Sequence, residues 1–357
     1  MTGVQTCALP ISPFQAPEAL VQKYRERMGK AGGETVAVIY AMIEAMDADL
    51  GRVFRALKDE GLWEKTAIVF SSDNGAQLGP DGSGGSTMRY HADFSGNKGD
   101  VGEQGIRVPA IAAWPGHIPP GRTLATPIHG CDWLPTLYGL TGSPPPHGAR
   151  PFDGVDIMPL LRGQPAPSLG SRVLPFQKNR YMPVAHSDAA IRRGEWKLVW
   201  PGIPATMKKD AARDNPSYER GILNPHWEMP LDTELADFAD VKTDKPRLFN
   251  LSDDPAERHD LAGERPGLAA ELARAYDAWF GDVIADWRES RAAILEHDRT
   301  YWKGRPAPDP AALFKDHWHW KSAPKGTDPK TADPLQIFRG YWRSEEHTSE
   351  LQSRQVI

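Results

Sequence analysis

The residues best equipped for chemistry in this sequence are Asp73, Asn74 and Lys98. Asp73 and Asn74 end the run Ile68-Val69-Phe70-Ser71-Ser72-Asp73-Asn74-Gly75, an apolar stretch that stops in two side-chain oxygens and a glycine. Carboxylate and amide oxygens are hard donors suited to a divalent cation, and the carboxyl end of a parallel strand is where an α/β sheet gathers its ligands. The bland reading of the same residues is an Asx turn, which Asp-Asn-Gly forms without any metal. Lys98 sits in the glycine-spaced loop Gly96-Asn97-Lys98-Gly99. Glycines let such a loop approach closely, so its ammonium could meet an anion; otherwise it is an ordinary solvated lysine.

The surrounding pattern supplies elements able to hold these residues. A Pro-rich stretch and a short helix precede Gly33. Met42, Met46, Leu50, Phe54 and Leu57, with Val53 beside them, recur at helical spacing and predict a helix that Gly61 stops. Thr66 to Phe70 is a continuous apolar run, as expected of a strand buried on both faces. Helix, short loop and strand in that order predict a doubly wound α/β sheet. Val108 to Trp114 is the next expected strand, and Asp132 caps an expected helix with Pro135 in its first turn. The connections around Pro144-Pro145-Pro146 and Leu161 to Pro167 put a domain boundary near residue 165. Beyond it, a hairpin turning at Arg193-Gly194, a strand at Arg247–Leu251 and a helix from Pro266 with Leu268, Leu272, Tyr276, Trp279 and Phe280 on its apolar face predict a smaller α+β subdomain with an antiparallel sheet. Residues 201–245 are expected to form an irregular insertion.

Both ends look foreign to this pattern. Met1–Ile11 and residues 343–357 read as translated sequencing adapter, so native sequence is expected from about Ser12 to Trp342, divided into residues 12–165 and 166–342. A net charge of -5 offers no electrostatic case for nucleic acid. No apolar run is long enough for a membrane span. Cys7 falls in the adapter, leaving Cys131 without an internal disulfide partner. The compartment stays open, with a periplasmic or secreted location favoured, and so does the oligomeric state.

Several other residues have both a chemical and a structural reading. His91, upstream of Lys98, could line a substrate pocket, but a solvated loop histidine is the better expectation. His129 and Cys131 could form a nucleophilic pair; both are read as packing residues. His317 and His319 alternate with tryptophans and could share a strand face toward a metal. With no third ligand in view, a packed strand is the better reading.

Taken together, Ser72-Asp73-Asn74-Gly75, Lys98, the segment Glu103-Gln104-Gly105-Ile106-Arg107-Val108-Pro109 and the later Leu248-Phe249-Asn250-Leu251-Ser252-Asp253-Asp254-Pro255-Ala256-Glu257 resemble the sulfatase family, within the alkaline-phosphatase superfamily. The resemblance runs from about Ser12 to Leu261, and Gln104 departs from it where the family has glycine. It implies an alkaline-phosphatase-like α/β fold and a calcium-dependent sulfuric ester hydrolase. Asp73 and Asn74 then match the last two Ca2+ ligands, Lys98 the sulfate contact, and Glu103 with Arg107 an ion pair holding the loop.

The family's nucleophile is a formylglycine made from Cys or Ser in C/S-x-P-x-R, and no such motif occurs here. Cys131 has Trp133 where proline is required. The expectation is therefore a C-terminal portion, inactive by itself, whose nucleophile and first two calcium ligands lie upstream. Its partner would be a sulfate ester or sulfated carbohydrate. Two alternatives accompany this reading. One is a phosphatase or phosphonate/phosphodiester hydrolase of the same superfamily; the other is a non-catalytic relative that binds sulfated carbohydrate.

Overall fold

The computed structural model describes residues 15–29, 33–76, 89–145, 147, 150–178, 185–202 and 245–302. The expected insertion at 201–245 lies almost wholly outside the described residues, as do His317 and His319. The chain divides into two compact units: residues 1–174 with 192–196 and 250–258, and residues 175–191 with 197–249 and 259–357.

In the first unit, α1 (Glu18–Met28) packs on α2 (Glu34–Asp59). Lys23 Nζ meets Glu44 Oε1 at 2.7 Å, and the Tyr24 and Tyr40 rings lie 5.9 Å apart. The deepest burial on α2 falls at Val36, Ala37, Ile39 and Ala41, N-terminal to the stripe the sequence pattern singled out. Val53 from that stripe is exposed. Gly61 adopts a φ of 64° after the helix, which suits glycine as the stop.

Strand β1 (Ile68–Ser71) pairs antiparallel with β2 (Ala110–Ala113), Phe70 opposite Ile111 and Val69 opposite Ala112. This corrects two expectations: Asp73 and Asn74 do not follow a strand in a parallel pair, and β1 is not buried on both faces. Val69 is 44% exposed and Ile111 60%, because each strand has a single described neighbour and only Ala112 of this pair packs against the nearby core of Ile157, Met158, Leu160, Leu161 and Leu169. Between the two strands lies the short helix α3 (Glu103–Ile106). Helices α4 (Trp133–Thr141), α5 (Met158–Leu161) and α6 (Pro167–Ser171) follow β2.

A buried carboxylate organises this region. Asp132 stands at the N-cap of α4 as expected, but its side chain does not cap the helix. It accepts from the His129 N–H at 2.7 Å, the Val155 N–H at 3.1 Å and Arg172 Nη1 at 2.6 Å, with Arg172 Nη2 completing a two-pronged pair. Its relative exposure is zero, and a carboxylate this buried needs a countercharge more than a helix end needs a cap. Thr136 continues the network by accepting from the Ile157 N–H at 2.9 Å.

The second unit carries most of a four-stranded sheet in the order β3 (Val173–Gln177), β4 (Ala189–Arg193), β5 (Trp196–Trp200), β6 (Arg247–Asn250). The β4–β5 turn holds Gly194 at a φ of 60°, close to the predicted hairpin turn. Helix α7 (Pro266–Trp302) begins at the predicted proline and buries Leu272 and Tyr276 completely. The Tyr276 ring lies 4.7 Å from Trp200 and 5.6 Å from His186, whose Nε2 is 2.6 Å from Asp277. No helix among the described residues is long and apolar enough to cross a membrane.

Removing Arg172 leaves the Asp132 charge buried and unpaired. Arg172→Ala is expected to cost about 3–5 kcal/mol, read by urea unfolding at neutral pH. Burial pushes the Asp132 pKa up, but Arg172 and the two backbone donors outweigh it and hold the group below the usual carboxylate range. A depressed folded-state pKa means this stabilisation is present above the unfolded value and is lost as pH falls through the folded one. The stability difference between wild type and Arg172→Ala should therefore persist through mild acid and shrink only below about pH 4.

Candidate functional site

Asp73 and Asn74 lie in the turn directly after β1. Asp73 Oδ1 accepts from the Asn74 backbone N–H at 3.0 Å and from Asn74 Nδ2 at 2.8 Å. Asp73 Oδ2 and Asn74 Oδ1 accept no hydrogen bond among the described residues. Two hard oxygens on consecutive residues, one carboxylate and one amide, thus have no hydrogen-bond donor among the described residues, a donor set that could hold a divalent cation. Among the described residues no three His, Cys, Asp or Glu side chains converge as a metal cluster, so these two oxygens are a partial set.

Lys98 is carried to the same place by its backbone. Its N–H donates to Ala76 O at 3.0 Å, and the Gly75 N–H donates to Gly105 O at 2.8 Å. These bonds tie the turn after β1 to both sides of the loop that bears Lys98. The approach is so close that a Cβ on Gly75 would fall 1.6 Å from Gln104 O, and the loop itself is wound so tightly that one on Gly105 would fall 2.1 Å from Asp100 O. At the loop tip, Asn97 and Asp100 bracket Lys98: the Asp100 N–H donates to Asn97 O at 2.9 Å, and Asp100 Oδ2 accepts from the Asn97 N–H at 2.9 Å and from Asn97 Nδ2 at 3.0 Å. Gly99 takes a φ of 94° there, which a side chain would resist.

Lys98 is half-buried. Desolvation lowers its pKa below the ordinary lysine value, and the nearby Asp73 carboxylate opposes that shift. The structure therefore brings the three sequence-predicted residues together: a carboxylate and amide with open oxygens, and an ammonium facing the carboxylate. The pair expected to hold the loop is present as a long ion pair. Glu103 is buried, but Arg107 Nη1 is 3.7 Å from Glu103 Oε2, longer than a hydrogen bond, and its guanidinium also lies 4.8 Å over the Phe94 ring.

A closer tie comes from Glu257, which the sequence marked only as the last residue of a motif. Glu257 Oε2 accepts from the Glu103 N–H at 2.8 Å and from the Ser95 hydroxyl. His91 lies in the preceding loop, half-buried, and its Nδ1 has no hydrogen-bond partner among the described residues. No hydrogen bond or ion pair joins it to Asp73, Asn74 or Lys98 among them. Its neighbours Ala92 and Asp93 have φ values of 54° and 59°.

Cys131 and His129 do touch, with Sγ 3.1 Å from Nδ1. Burial and the adjacent Asp132 push the Cys131 pKa to about 11, while burial lowers that of His129. A neutral thiol beside a neutral imidazole is a poor nucleophilic pair. His129 Nδ1 accepts from the Cys131 N–H at 3.3 Å, which makes it a turn cap.

Comparison with known proteins gives the family. Residues 11–143 match the Sulfatase family. They belong to that family, and the fold is of the alkaline-phosphatase-like α/β type. Mouse (Mus musculus) steryl-sulfatase is 35% identical over 285 residues, covering 78% of this chain and 39% of that protein. Human (Homo sapiens) arylsulfatase A is 30% identical over 266 residues, covering 72% of this chain and 44% of that protein. The crystal structure of Ps i-CgsB in complex with k-i-k-neocarrahexaose superposes with a TM-score of 0.53 at 22% identity, covering 76% of this chain and 48% of that one. The chain thus spans less than half the length of these relatives.

Two outcomes test the geometry. Gly75→Ala should cost about 1–3 kcal/mol by denaturant unfolding, since its Cβ meets backbone that cannot move aside. Alkylation of Cys131 by iodoacetamide should be slow at neutral pH and accelerate as pH rises toward about 11.

Proposed function

We propose that this chain is part of a calcium-dependent sulfuric ester hydrolase, and that Asp73, Asn74 and Lys98 are its contribution to the active site. The observation that supports the reading is the pair of backbone bonds, Gly75 N–H to Gly105 O and Lys98 N–H to Ala76 O, which fixes the Asp-Asn turn against the lysine loop. Neither bond is needed for an isolated Asx turn or for a solvated lysine.

Asp73 Oδ2 and Asn74 Oδ1 are the oxygens that would hold Ca2+, and the remaining ligands are expected from sequence upstream of Ser12, where the formylglycine motif C/S-x-P-x-R is also expected. When bound, the ion supplies positive charge that polarises the sulfate group. Lys98 supplies a second positive charge from the protein itself. Its ammonium pairs with sulfate oxygens, and its partial burial strengthens that attraction over the same contact in water. The Asp73 carboxylate opposes the lowering of the Lys98 pKa by desolvation.

The substrate class is a sulfate ester. The solved relative bound to neocarrahexaose and the curated steryl- and arylsulfatases span carbohydrate, steroid and aryl esters in their names, so the alcohol part is left unspecified. A phosphate or phosphonate ester hydrolase of the same superfamily is the alternative. The adjacent Asp-Asn pair with a downstream lysine favours sulfate.

The test is to recover the coding sequence upstream of Ser12 in the source DNA, express the whole protein and assay 4-nitrophenyl sulfate beside 4-nitrophenyl phosphate. Calcium-dependent sulfate hydrolysis is the expected result, with Lys98→Ala lowering kcat by about 10²–10³-fold. Preferential hydrolysis of the phosphate would move the protein to phosphoryl transfer. Because the Lys98 pKa is lowered, its contribution should fade as pH rises through values below the ordinary lysine pKa of about 10.4.

A further inference from the structure

Glu257 is far from Lys98 in sequence, yet its carboxylate grips the neck of the loop that carries Lys98. Residues 250–258 belong to the same compact unit as that loop. A single oxygen, Glu257 Oε2, accepts from the Ser95 hydroxyl before Lys98 and from the Glu103 N–H after it, the latter at 2.8 Å. The same neck is closed by the Gln104 N–H donating to Ser95 O at 2.8 Å. It tolerates no extra atom: a Cβ on Gly102 would lie 2.7 Å from both Ser95 O and Ser95 Oγ.

Glu257 is held in a conformation that a structurally idle glutamate has no reason to adopt. Its φ is 56°, in the left-handed region that non-glycine residues avoid. The turn that imposes this is built by Asp254: Asp254 O accepts from the Glu257 N–H at 3.2 Å, and Asp254 Oδ2 accepts from the Arg258 N–H at 2.7 Å. Glu257 is 8% exposed, so its charge is largely withdrawn from water. Arg192, whose Nε is tied to Gly194 O at 2.9 Å, interacts electrostatically with both Glu103 and Glu257.

We propose that Glu257 is a positioning residue for the Lys98 loop, setting where the ammonium stands by clamping Ser95 and Glu103 together. The proposal rests on the reading of Lys98 as the anion-binding group. Glu257 touches no reacting atom. Its action passes through the backbone of residues 95–103.

The test uses the full 357-residue chain and inorganic sulfate as the probe. Sulfate affinity is measured by NMR titration and backbone protection by hydrogen exchange over residues 95–107, for wild type, Glu257→Gln, Glu257→Asp, Glu257→Ala and Lys98→Ala. Glutamine keeps the reach and one acceptor oxygen but loses the charge; aspartate keeps the charge but loses the reach. The expected result is that Glu257→Gln stays within about threefold of wild-type affinity while Glu257→Asp and Glu257→Ala lose about tenfold, with protection of 95–107 lost in step. Exchange in α7 should not change, which separates a local clamp from global destabilisation. Affinity retained by Glu257→Asp and lost by Glu257→Gln would overturn the clamp in favour of a simple charge effect. Unchanged protection of 95–107 in both Glu257→Asp and Glu257→Ala would overturn it outright. If Lys98→Ala leaves sulfate affinity unchanged, the reading of Lys98 fails, while hydrogen exchange still decides whether Glu257 clamps the loop.

Discussion

Everything at the candidate site depends on two backbones meeting where no side chain could fit. The Gly75 N–H to Gly105 O bond brings the turn after β1 within hydrogen-bonding reach of a loop about thirty residues away in sequence. A methyl group on Gly75 would overlap the Gln104 carbonyl oxygen of the opposing loop, and one on Gly105 would overlap the Asp100 carbonyl oxygen of its own loop. The contact cannot relax by turning a side chain, because the obstructing atoms are main chain. Asp73 and Asn74 therefore have a fixed address relative to Lys98, and the chemistry each could do alone becomes chemistry they could do jointly.

Buried and exposed carboxylates play opposite parts around this contact. Asp132 is fully buried, and its acceptor capacity is spent on Arg172 and the backbone of His129 and Val155. Glu257 is nearly as buried and is engaged by Ser95 and Glu103. Each withdraws a charge from water and is tolerated because donors replace the lost hydration. Asp73 is exposed, and one of its oxygens, like the Asn74 amide oxygen beside it, accepts no hydrogen bond among the described residues. Asp132 serves structure through those donors, whereas Asp73 presents its carboxylate at the surface.

Much of this was legible in the sequence, for identifiable reasons. Helix α7 begins at Pro266 and buries Leu272 and Tyr276 because strong periodicity and a proline at the first turn are local signals. The hairpin at Gly194 and the stop at Gly61 were legible because positive φ favours glycine. Asp73, Asn74 and Lys98 stood out as candidates because an apolar run ending in Asp-Asn-Gly, followed by a glycine-spaced lysine, is an unusual pattern whose parts resemble one family. The antiparallel pairing of β1 and the exposure of Val69 were not legible, since an apolar run reports hydrophobicity and not the direction or number of its neighbours. The diversion of Asp132 from its helix to Arg172 was hidden because the partner is forty residues away. Glu257 was hidden for the same reason: a motif shows that a glutamate is present, and only the fold shows which loop it reaches.

The lysine itself shows why so much structure is invested in a loop. A four-carbon stem is flexible, so fixing the root of Lys98 matters more than fixing its tip, and the turn between Asn97 and Asp100 does that. Rooting the residue in a half-buried place has an electrostatic cost, because desolvation favours the neutral amine. The Asp73 carboxylate offsets that cost in part. The two groups are therefore coupled electrostatically: the carboxylate beside Asn74 is also the one that opposes the desolvation of the lysine. Any change that moves the β1 turn away from the lysine loop disturbs the glycine contact and the charge balance together, because both lie within the same few residues.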